Sequence, residues 1–195
     1  DNGCSPTGSI PEHTAIGHKS NGDWRGHKAD IFEGGHRVPF LVRWPAKIKG
    51  GILSDSTICT TDFFATAADA SGSTASIQAT FAEDSYSFMP DLTQSGKTVR
   101  PLTIHHSING SFAIREGKWK LNLCAGSGGW SAPRPGKATQ GMPAIQLYNL
   151  ETDPTEKNNL QASHPEIVDK LVNQLAKVIK EGRSTKGATQ SNEGS

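Results

Sequence analysis

The feature that most constrains the fold is an alternating apolar pattern on both sides of a glycine, in SFAIREGKWKLNL (residues 111–123). A period of two residues is typical of a strand with one apolar face, and Glu116-Gly117 in the middle is typical of a turn. The pattern therefore predicts an antiparallel β-hairpin. Its apolar positions are Phe112, Ile114, Trp119, Leu121 and Leu123.

A second regular pattern lies in SHPEIVDKLVNQLAKVIKEG (residues 163–182) and predicts an amphipathic helix. Ser163 and Glu166 have the spacing of a capping box, and Gly182 is typical of a helix end. The apolar residues recur at helical spacing on one face. They are Ile167, Leu171, Leu175 and Val178, with Val168, Val172 and Ile179 widening the stripe.

Strands and helices are mixed in the rest of the chain. The continuous apolar run from Phe40 to Trp44 predicts a strand buried on both faces, as in a parallel sheet. Residues 61–70 predict a helix, and residues 103–107 and 145–150 predict short strands. The chain is therefore predicted to be an α/β protein whose last third is antiparallel and ends in a helix.

Composition excludes several function classes. The net charge is only +1 at pH 7, so there is no electrostatic case for binding nucleic acid or an anionic membrane. No apolar run approaches the roughly 20 residues that span a bilayer. The cysteines form neither a CxxC pair nor a zinc-site spacing; they are Cys4, Cys59 and Cys124.

Four stretches are predicted without regular structure: residues 1–26, 71–100, 125–144 and the tail after residue 182. The chain begins with Asp-Asn-Gly, without a methionine or a signal-peptide pattern. We interpret this beginning as that of a fragment whose N-terminal part is missing.

The candidate residues for binding a metal ion or an anion are the first two residues and Lys28. Asp1 and Asn2 carry hard oxygen donors that suit Ca²⁺ or Mg²⁺, although the same tripeptide is common in plain turns. The Lys28 ammonium suits a sulfate or phosphate oxygen, although surface lysines are common. Gly34 and Gly35 either allow a left-handed turn that presents this segment to a ligand or end a helix.

The order of these motifs resembles the sulfatase family of the alkaline phosphatase superfamily. Family members show a DNG turn, a G-x-K segment, an EGG-x-R-x-P segment and a strand ending in W-P-G. The chain shows each of these in order, with Ala46 in place of the last glycine. The resemblance extends to about residue 182 through TTDFFATAADASG, FAIREGKWKL, LYNLETDPTEKNNL and HPEIVDKL.

The resemblance implies roles at the matched positions. Asp1 and Asn2 fall where the family binds a divalent cation, usually Ca²⁺ and otherwise Mg²⁺, and Lys28 falls where a lysine binds the substrate sulfate. For Glu33 and Arg37 we favour a structural role, such as an internal ion pair, over substrate contact.

The nucleophile is expected in the missing N-terminal part. The family uses formylglycine, which is made from the cysteine of C-x-P-x-R. Cys4 begins a C-x-P sequence but is followed by Gly8 where the arginine is required. We therefore reject Cys4 as the nucleophile and expect the fragment alone to be inactive.

The resemblance also implies the fold and the domains. Residues 1–100 are expected to be the C-terminal part of an alkaline-phosphatase-like α/β sandwich. Residues 101–182 are expected to form a small antiparallel-sheet subdomain with a terminal helix, and residues 183–195 a flexible tail.

The implied substrate is a sulfated small molecule or glycan, and the implied location is periplasmic or secreted. His105 and His106 are adjacent on a predicted strand, so alternation sends one of them to each face. One of them is a candidate substrate contact and the other a packing residue. Two alternatives stay open: a phosphoesterase of the same superfamily, and a non-catalytic protein that binds sulfated glycans.

Overall fold

The computed structural model describes residues 2–73, 81–94 and 100–191. It contains four helices, four strands and two short 3-10 turns in the described ranges. Their bounds are α1 Ile10–Ala15, the turn Glu33–Gly35, α2 Asp62–Ala70, α3 Met89–Thr93, β1 Thr103–His106, β2 Phe112–Glu116, β3 Trp119–Asn122, the turn Lys137–Thr139, β4 Gln146–Asn149 and α4 Pro165–Glu181. None of these helices has the length and apolar character needed to cross a bilayer.

The strands form one sheet in the order β1-β2-β3-β4. Strand β3 pairs with β2 and with β4, antiparallel in both cases. Ile114, Leu121 and Leu147 lie opposite one another in this register and are fully buried. The predicted hairpin and its apolar face are therefore confirmed.

The other face of the sheet is also buried, which the hairpin pattern did not predict. Lys120 and Asn122 of β3 are completely inaccessible to solvent. The side chains on this face pack against the segment that leads into the Glu33–Gly35 turn. The apolar cluster there consists of Ile31, Phe32, Ala113, Tyr148 and Leu150, with Cys124 beside it.

Helix α4 confirms the predicted amphipathic helix but not its cap. Pro165 occupies the first helical position, which suits a residue that has no N–H to donate. The Ser163 hydroxyl donates to the Leu160 carbonyl, one turn before the helix, so it does not cap α4 as the spacing predicted. Leu171 and Leu175 of the apolar stripe are buried.

The described chain divides into two compact units. One comprises residues 1–39 and 104–172, and the other comprises residues 40–103 and 173–195. The first contains the sheet except for Thr103, and every residue that the sequence predicted for a functional site. The domain boundaries predicted at residues 100 and 182 stay a prediction.

The prediction of a buried strand at residues 40–44 is wrong for this structure. The run belongs to no strand, and Leu41 is 88% exposed. A strand needs hydrogen-bonded neighbours, and the sheet of the described residues does not include this segment. Phe40 instead makes edge-to-face contacts with Phe63 and Phe88.

Two buried ion and hydrogen-bond clusters hold the second unit. Arg100 forms an ion pair of 2.5 Å with Asp62 at the start of α2, and both side chains are buried. Arg183 is only 2% exposed and donates to the carbonyls of Thr185, Lys186 and Ala188. Residues 183–188 therefore wind around one guanidinium group, while the predicted flexibility of the tail stays a prediction.

Candidate functional site

The structure brings together the three sequence motifs that predicted the site. The N–H of Gly3 donates to the Gly35 carbonyl at 2.9 Å, and the N–H of Lys28 donates to the Cys4 carbonyl at 3.0 Å. Backbone hydrogen bonds thus join the DNG motif to the EGG motif directly, and the G-x-K motif to Cys4, the residue that follows DNG. Up to 32 residues separate these segments in the sequence.

The glycines of this junction are required by close approach. A Cβ on Gly3 would collide with the carbonyl oxygen of Gly34, and a Cβ on Gly34 would collide with the carbonyls of Arg25 and Gly26. Gly34 and Gly35 lie within a 3-10 turn, outside the left-handed region. The left-handed turn considered for them from the sequence is therefore wrong, whereas Gly35 does end a short 3-10 helix.

Lys28 is held by its backbone and leaves its side chain available. The residue is half-buried, and its ammonium makes no hydrogen bond or ion pair with any residue that the structure describes. A compact cation of this kind can bind an anion without first breaking an internal salt bridge.

The predicted metal site is only partly within the described chain. Asn2 is exposed, whereas Asp1 lies outside the described residues. No group of three or more His, Cys, Asp or Glu residues in the described ranges could hold a metal ion. A carboxylate and an amide oxygen fit a hard cation such as Ca²⁺ only as part of a larger set, because Ca²⁺ takes about 6–8 oxygens.

Asp30 fixes the position of the Lys28 turn, a role that no pattern in the sequence indicated. Its carboxylate accepts the N–H of His27 at 2.7 Å and the N–H groups of Trp130 and Ser131 at 2.9 and 3.0 Å. It also accepts the Ser131 hydroxyl. The turn that carries Lys28 is thereby tied to a loop 100 residues further along the chain.

The ion pair predicted between Glu33 and Arg37 is confirmed, at 2.6 Å. Glu33 is almost fully buried and also pairs with Lys120 at 3.0 Å and with Arg115 at 3.4 Å. Three cations thus surround one carboxylate directly before the two glycines. We expect this cluster to fix the turn that contacts Gly3.

Lys120 lies between two buried carboxylates, which the sequence analysis missed. Its ammonium is 3.0 Å from Glu33 and 3.0 Å from Glu156, and it donates to the Ile31 carbonyl at 2.9 Å. Glu156 also accepts the N–H of Glu33 at 2.6 Å. Alternation places Arg115 and Lys120 on the same, polar face of the hairpin, but it did not indicate that this face is buried.

The two carboxylates differ in their protonation chemistry. Burial alone would raise the pKa of Glu33, but Lys120, His36 and Arg37 outweigh it and hold that pKa well below the usual range. Burial raises the pKa of Glu156, and Lys120 offsets only part of this effect. Glu33 is therefore the firmly ionised member of the pair.

The two candidate histidines point to opposite faces, as alternation predicted. His105 contacts the Ile31 carbonyl at 3.2 Å, and its ring lies 3.8 Å from the ring of His36. His106 is exposed, and its ring lies beside Phe112. A substrate contact by either residue stays a prediction.

The half-buried pair of His36 and His105 is expected to make stability sensitive to acid. Burial lowers the pKa of His105 well below its usual value of 6.5, and His36 and Lys120 lower it further. Burial and Lys120 also lower the pKa of His36, although Glu33 opposes them. A lowered pKa in the folded state means that the unfolded chain binds the proton more readily.

We therefore expect the full stability above about pH 6.5 and its loss as the pH falls below that value, by up to about 1.4 kcal/mol per pH unit for each histidine. Urea unfolding between pH 5 and 8 measures this loss. A His36→Phe/His105→Phe double variant should flatten the curve, whereas a His106→Phe control should not. An unchanged slope in the double variant would contradict the assignment.

Sequence comparisons identify sulfatases among the relatives of this chain. An N-acetylgalactosamine-6-O-sulfatase of Bacteroides thetaiotaomicron is 33% identical over 83% of this chain. An arylsulfatase of Hemicentrotus pulcherrimus is 33% identical over 51% of it. The chain spans only 31% and 18% of the lengths of these two relatives. No model of a known protein family matches the chain.

Comparison with solved structures gives the same grouping. A structure from work on the metabolism of multiple glycosaminoglycans by Bacteroides thetaiotaomicron has a TM-score of 0.72 and 31% identity. The match covers 88% of this chain and 35% of the chain in that structure. A complex with a neocarrahexaose has a TM-score of 0.65 at 20% identity and supports the fold alone. The fold class predicted from the sequence is confirmed.

Proposed function

This chain belongs to the sulfatase family, whose members it matches over their C-terminal part, and we propose that the full-length protein hydrolyses sulfate monoesters to an alcohol and inorganic sulfate. The observation that supports this most is the junction of the DNG, G-x-K and EGG motifs through Gly3, Lys28 and Gly35. In this junction the backbone N–H of Lys28, whose ammonium has no partner among the described residues, donates to Cys4, two residues after Asn2. An anion at the ammonium and a metal at Asp1 and Asn2 are the ligands that the proposal assigns to it.

The proposed substrate is an aryl or carbohydrate sulfate, and the relatives favour a carbohydrate. The N-acetylgalactosamine-6-O-sulfatase is the relative that matches over 83% of the chain. One solved structure with the same fold is a complex with D-glucosamine-2-N,6-O-disulfate, although it is only 23% identical. A sulfated sugar is therefore the first substrate class to test.

In the proposed mechanism, the Lys28 ammonium donates to the sulfate oxygens and stabilises the charge that develops as the sulfuryl group leaves its alcohol. Asp1 and Asn2 would contribute two oxygens to a divalent cation, Ca²⁺ or Mg²⁺. Such a cation, when bound, withdraws negative charge from the sulfate. The Glu33 cluster holds the turn against which Gly3 rests.

The nucleophile, a formylglycine in this proposal, comes from residues outside this chain. Cys4 is not a substitute for it, because Gly8 stands where the modification motif requires an arginine. The 195-residue chain alone should therefore show no turnover of an aryl sulfate, with or without Ca²⁺. Turnover by this chain that disappears in Cys4→Ala would contradict the proposed source of the nucleophile.

The metal assignment predicts a linked loss. Asp1→Ala in the full-length protein should lower bound Ca²⁺ and sulfatase turnover together, because one carboxylate leaves the cation's ligand set. Elemental analysis and an aryl sulfate assay measure the two quantities, and the exposed Asp55→Ala serves as the control. Full activity at unchanged metal content would refute the assignment of Asp1.

The reaction class needs a separate test. The full-length protein should turn over aryl sulfate faster than the matching aryl phosphate, since the motifs resemble those of sulfatases. Faster phosphate turnover would instead support the phosphoesterase alternative. Binding of a sulfated sugar without turnover of either ester would support the non-catalytic one.

A further inference from the structure

An exposed indole lies on a loop with a fixed backbone. Trp130 is 43% exposed. The backbone N–H of Trp130 donates to the buried Asp30 carboxylate at 2.9 Å, and the backbone carbonyl of Trp130 accepts a hydrogen bond from the Arg134 guanidinium at 2.5 Å. The loop is also closed by Ser127, whose hydroxyl donates to the Ser131 carbonyl at 2.6 Å. The backbone from which the indole projects is therefore held by several independent hydrogen bonds.

The same loop rests directly on the turn that carries Lys28. A Cβ on Gly129 would collide with the carbonyl oxygen of Ala29, the residue after Lys28. The N–H of Ile31 donates to the Ser127 carbonyl at 2.8 Å. Only glycine fits at position 129, next to Trp130, because the backbone of the Lys28 turn lies directly against it. The distance between the two segments is therefore fixed.

The Asp30 carboxylate holds both the segment that carries Lys28 and the segment that carries Trp130. Its carboxylate binds the backbone of His27 on one side of Lys28 and the backbone of Trp130 and Ser131. His27 and Ser131 are also joined through their side chains at 3.0 Å. An unpaired ammonium and an exposed aromatic face are thus carried by adjoining, mutually fixed segments.

We propose that Trp130 forms a wall of the substrate site beside Lys28 and stacks on the sugar ring whose sulfate Lys28 binds. This proposal rests on the proposed function and extends it by naming a residue that selects the alcohol part. Ligand sites combine aromatic walls with a few fixed polar groups, and a sugar ring offers an apolar C–H face to an indole.

Single exposed aromatic residues are common and need no function of their own. Trp130 differs from Phe64 of α2, which is similarly exposed on a regular helix. The Trp130 loop has no regular secondary structure and is instead ordered by a buried carboxylate and a glycine at close approach. That ordering is what a substrate wall requires.

The test uses the full-length protein and N-acetylgalactosamine 6-sulfate. Trp130→Ala should raise KM for this sugar about 3–10-fold, the range expected for loss of one aromatic contact, with kcat within threefold. Trp130→Phe should recover most of the affinity. Phe64→Ala is the matched control and should leave KM unchanged.

Inorganic sulfate separates the roles of the two residues. Its inhibition constant should rise in Lys28→Ala but stay the same in Trp130→Ala, because sulfate has no ring to stack. An unchanged KM in Trp130→Ala would overturn the proposal. A parallel change in KM, in the sulfate inhibition constant and in Tm would also overturn it, because the indole would then only support the fold.

The proposal can also be separated from the proposed function. If the full-length protein hydrolysed no sulfate ester, the proposed function would fail, and calorimetric titration with the same sugar would decide the role of Trp130. Weaker binding in Trp130→Ala would then support stacking, and equal binding would overturn it. If Lys28→Ala changed neither KM nor the sulfate inhibition constant while Trp130→Ala still raised KM, the sulfate contact of Lys28 would be refuted and the stacking on Trp130 supported.

Discussion

Replacing Lys28 by alanine in the full-length protein is expected to lower kcat/KM for every sulfate ester by a similar factor, roughly 10²–10³-fold. The reason is that the ammonium would contact the sulfate, which all substrates share, and not the alcohol, which differs among them. The side chain has no partner elsewhere in the described structure, so its removal should leave the fold intact. Steady-state kinetics with several sulfate esters measure the effect.

Lys19→Ala is the matched control for this substitution. Lys19 is exposed and pairs with Asp23 in the loop before Lys28, so its removal should change kcat/KM little. A loss that depended strongly on the alcohol would make Lys28 a specificity residue instead. An unchanged kcat/KM in Lys28→Ala would mean that Lys28 is an ordinary surface lysine without a role in catalysis.

The hairpin and α4 could be predicted because their patterns are local. Alternation around Gly117 fixes which side chains of β2 and β3 share a face, and the structure shows Ile114 and Leu121 together on the buried one. The motif order likewise predicted that Lys28 and the DNG segment serve one site. The backbone bonds of Gly3 and Lys28 show that these segments adjoin, while their common function stays a prediction.

The buried charges could not be predicted in the same way. Glu33 and Glu156 are 123 residues apart in the sequence, and only the folded sheet brings both to Lys120. Polar residues at alternate strand positions normally face water, so the pattern indicated a solvated face. The segment before Glu33 covers that face instead, and nothing local in the sequence indicates this covering.

The apolar run at residues 40–44 failed as a prediction for a related reason. Its composition predicts a strand, but a strand forms only where another strand offers hydrogen-bonding partners. In the described chain the run has none and exposes Leu41. The composition of residues 40–44 thus indicates a preference for a strand, but a strand forms only where a neighbouring strand is available to pair with it.

The second large effect is expected at the buried charge cluster. Lys120→Met keeps most of the side-chain volume but leaves Glu33 and Glu156 without the cation between them. Removing one partner of a buried ion pair costs about 3–5 kcal/mol, because the remaining charges stay desolvated. We expect the free energy of unfolding, measured with urea at pH 8, to fall by about that amount.

The pH dependence of this loss identifies its cause. Without Lys120, repulsion between the two carboxylates should raise the folded-state pKa of Glu156 further above its ordinary value of 4.5. A group whose pKa is raised in the folded state stabilises the fold when protonated, and this stabilisation disappears as the pH rises through that pKa. The difference between Lys120→Met and the unaltered protein should therefore be smaller at pH 5 than at pH 8.

Lys118→Ala is the control, since it removes an exposed lysine that is paired with Glu151. It should lower the free energy of unfolding by less than about 0.5 kcal/mol at either pH. A pH-independent loss in Lys120→Met would indicate a packing defect and contradict the electrostatic role of Lys120.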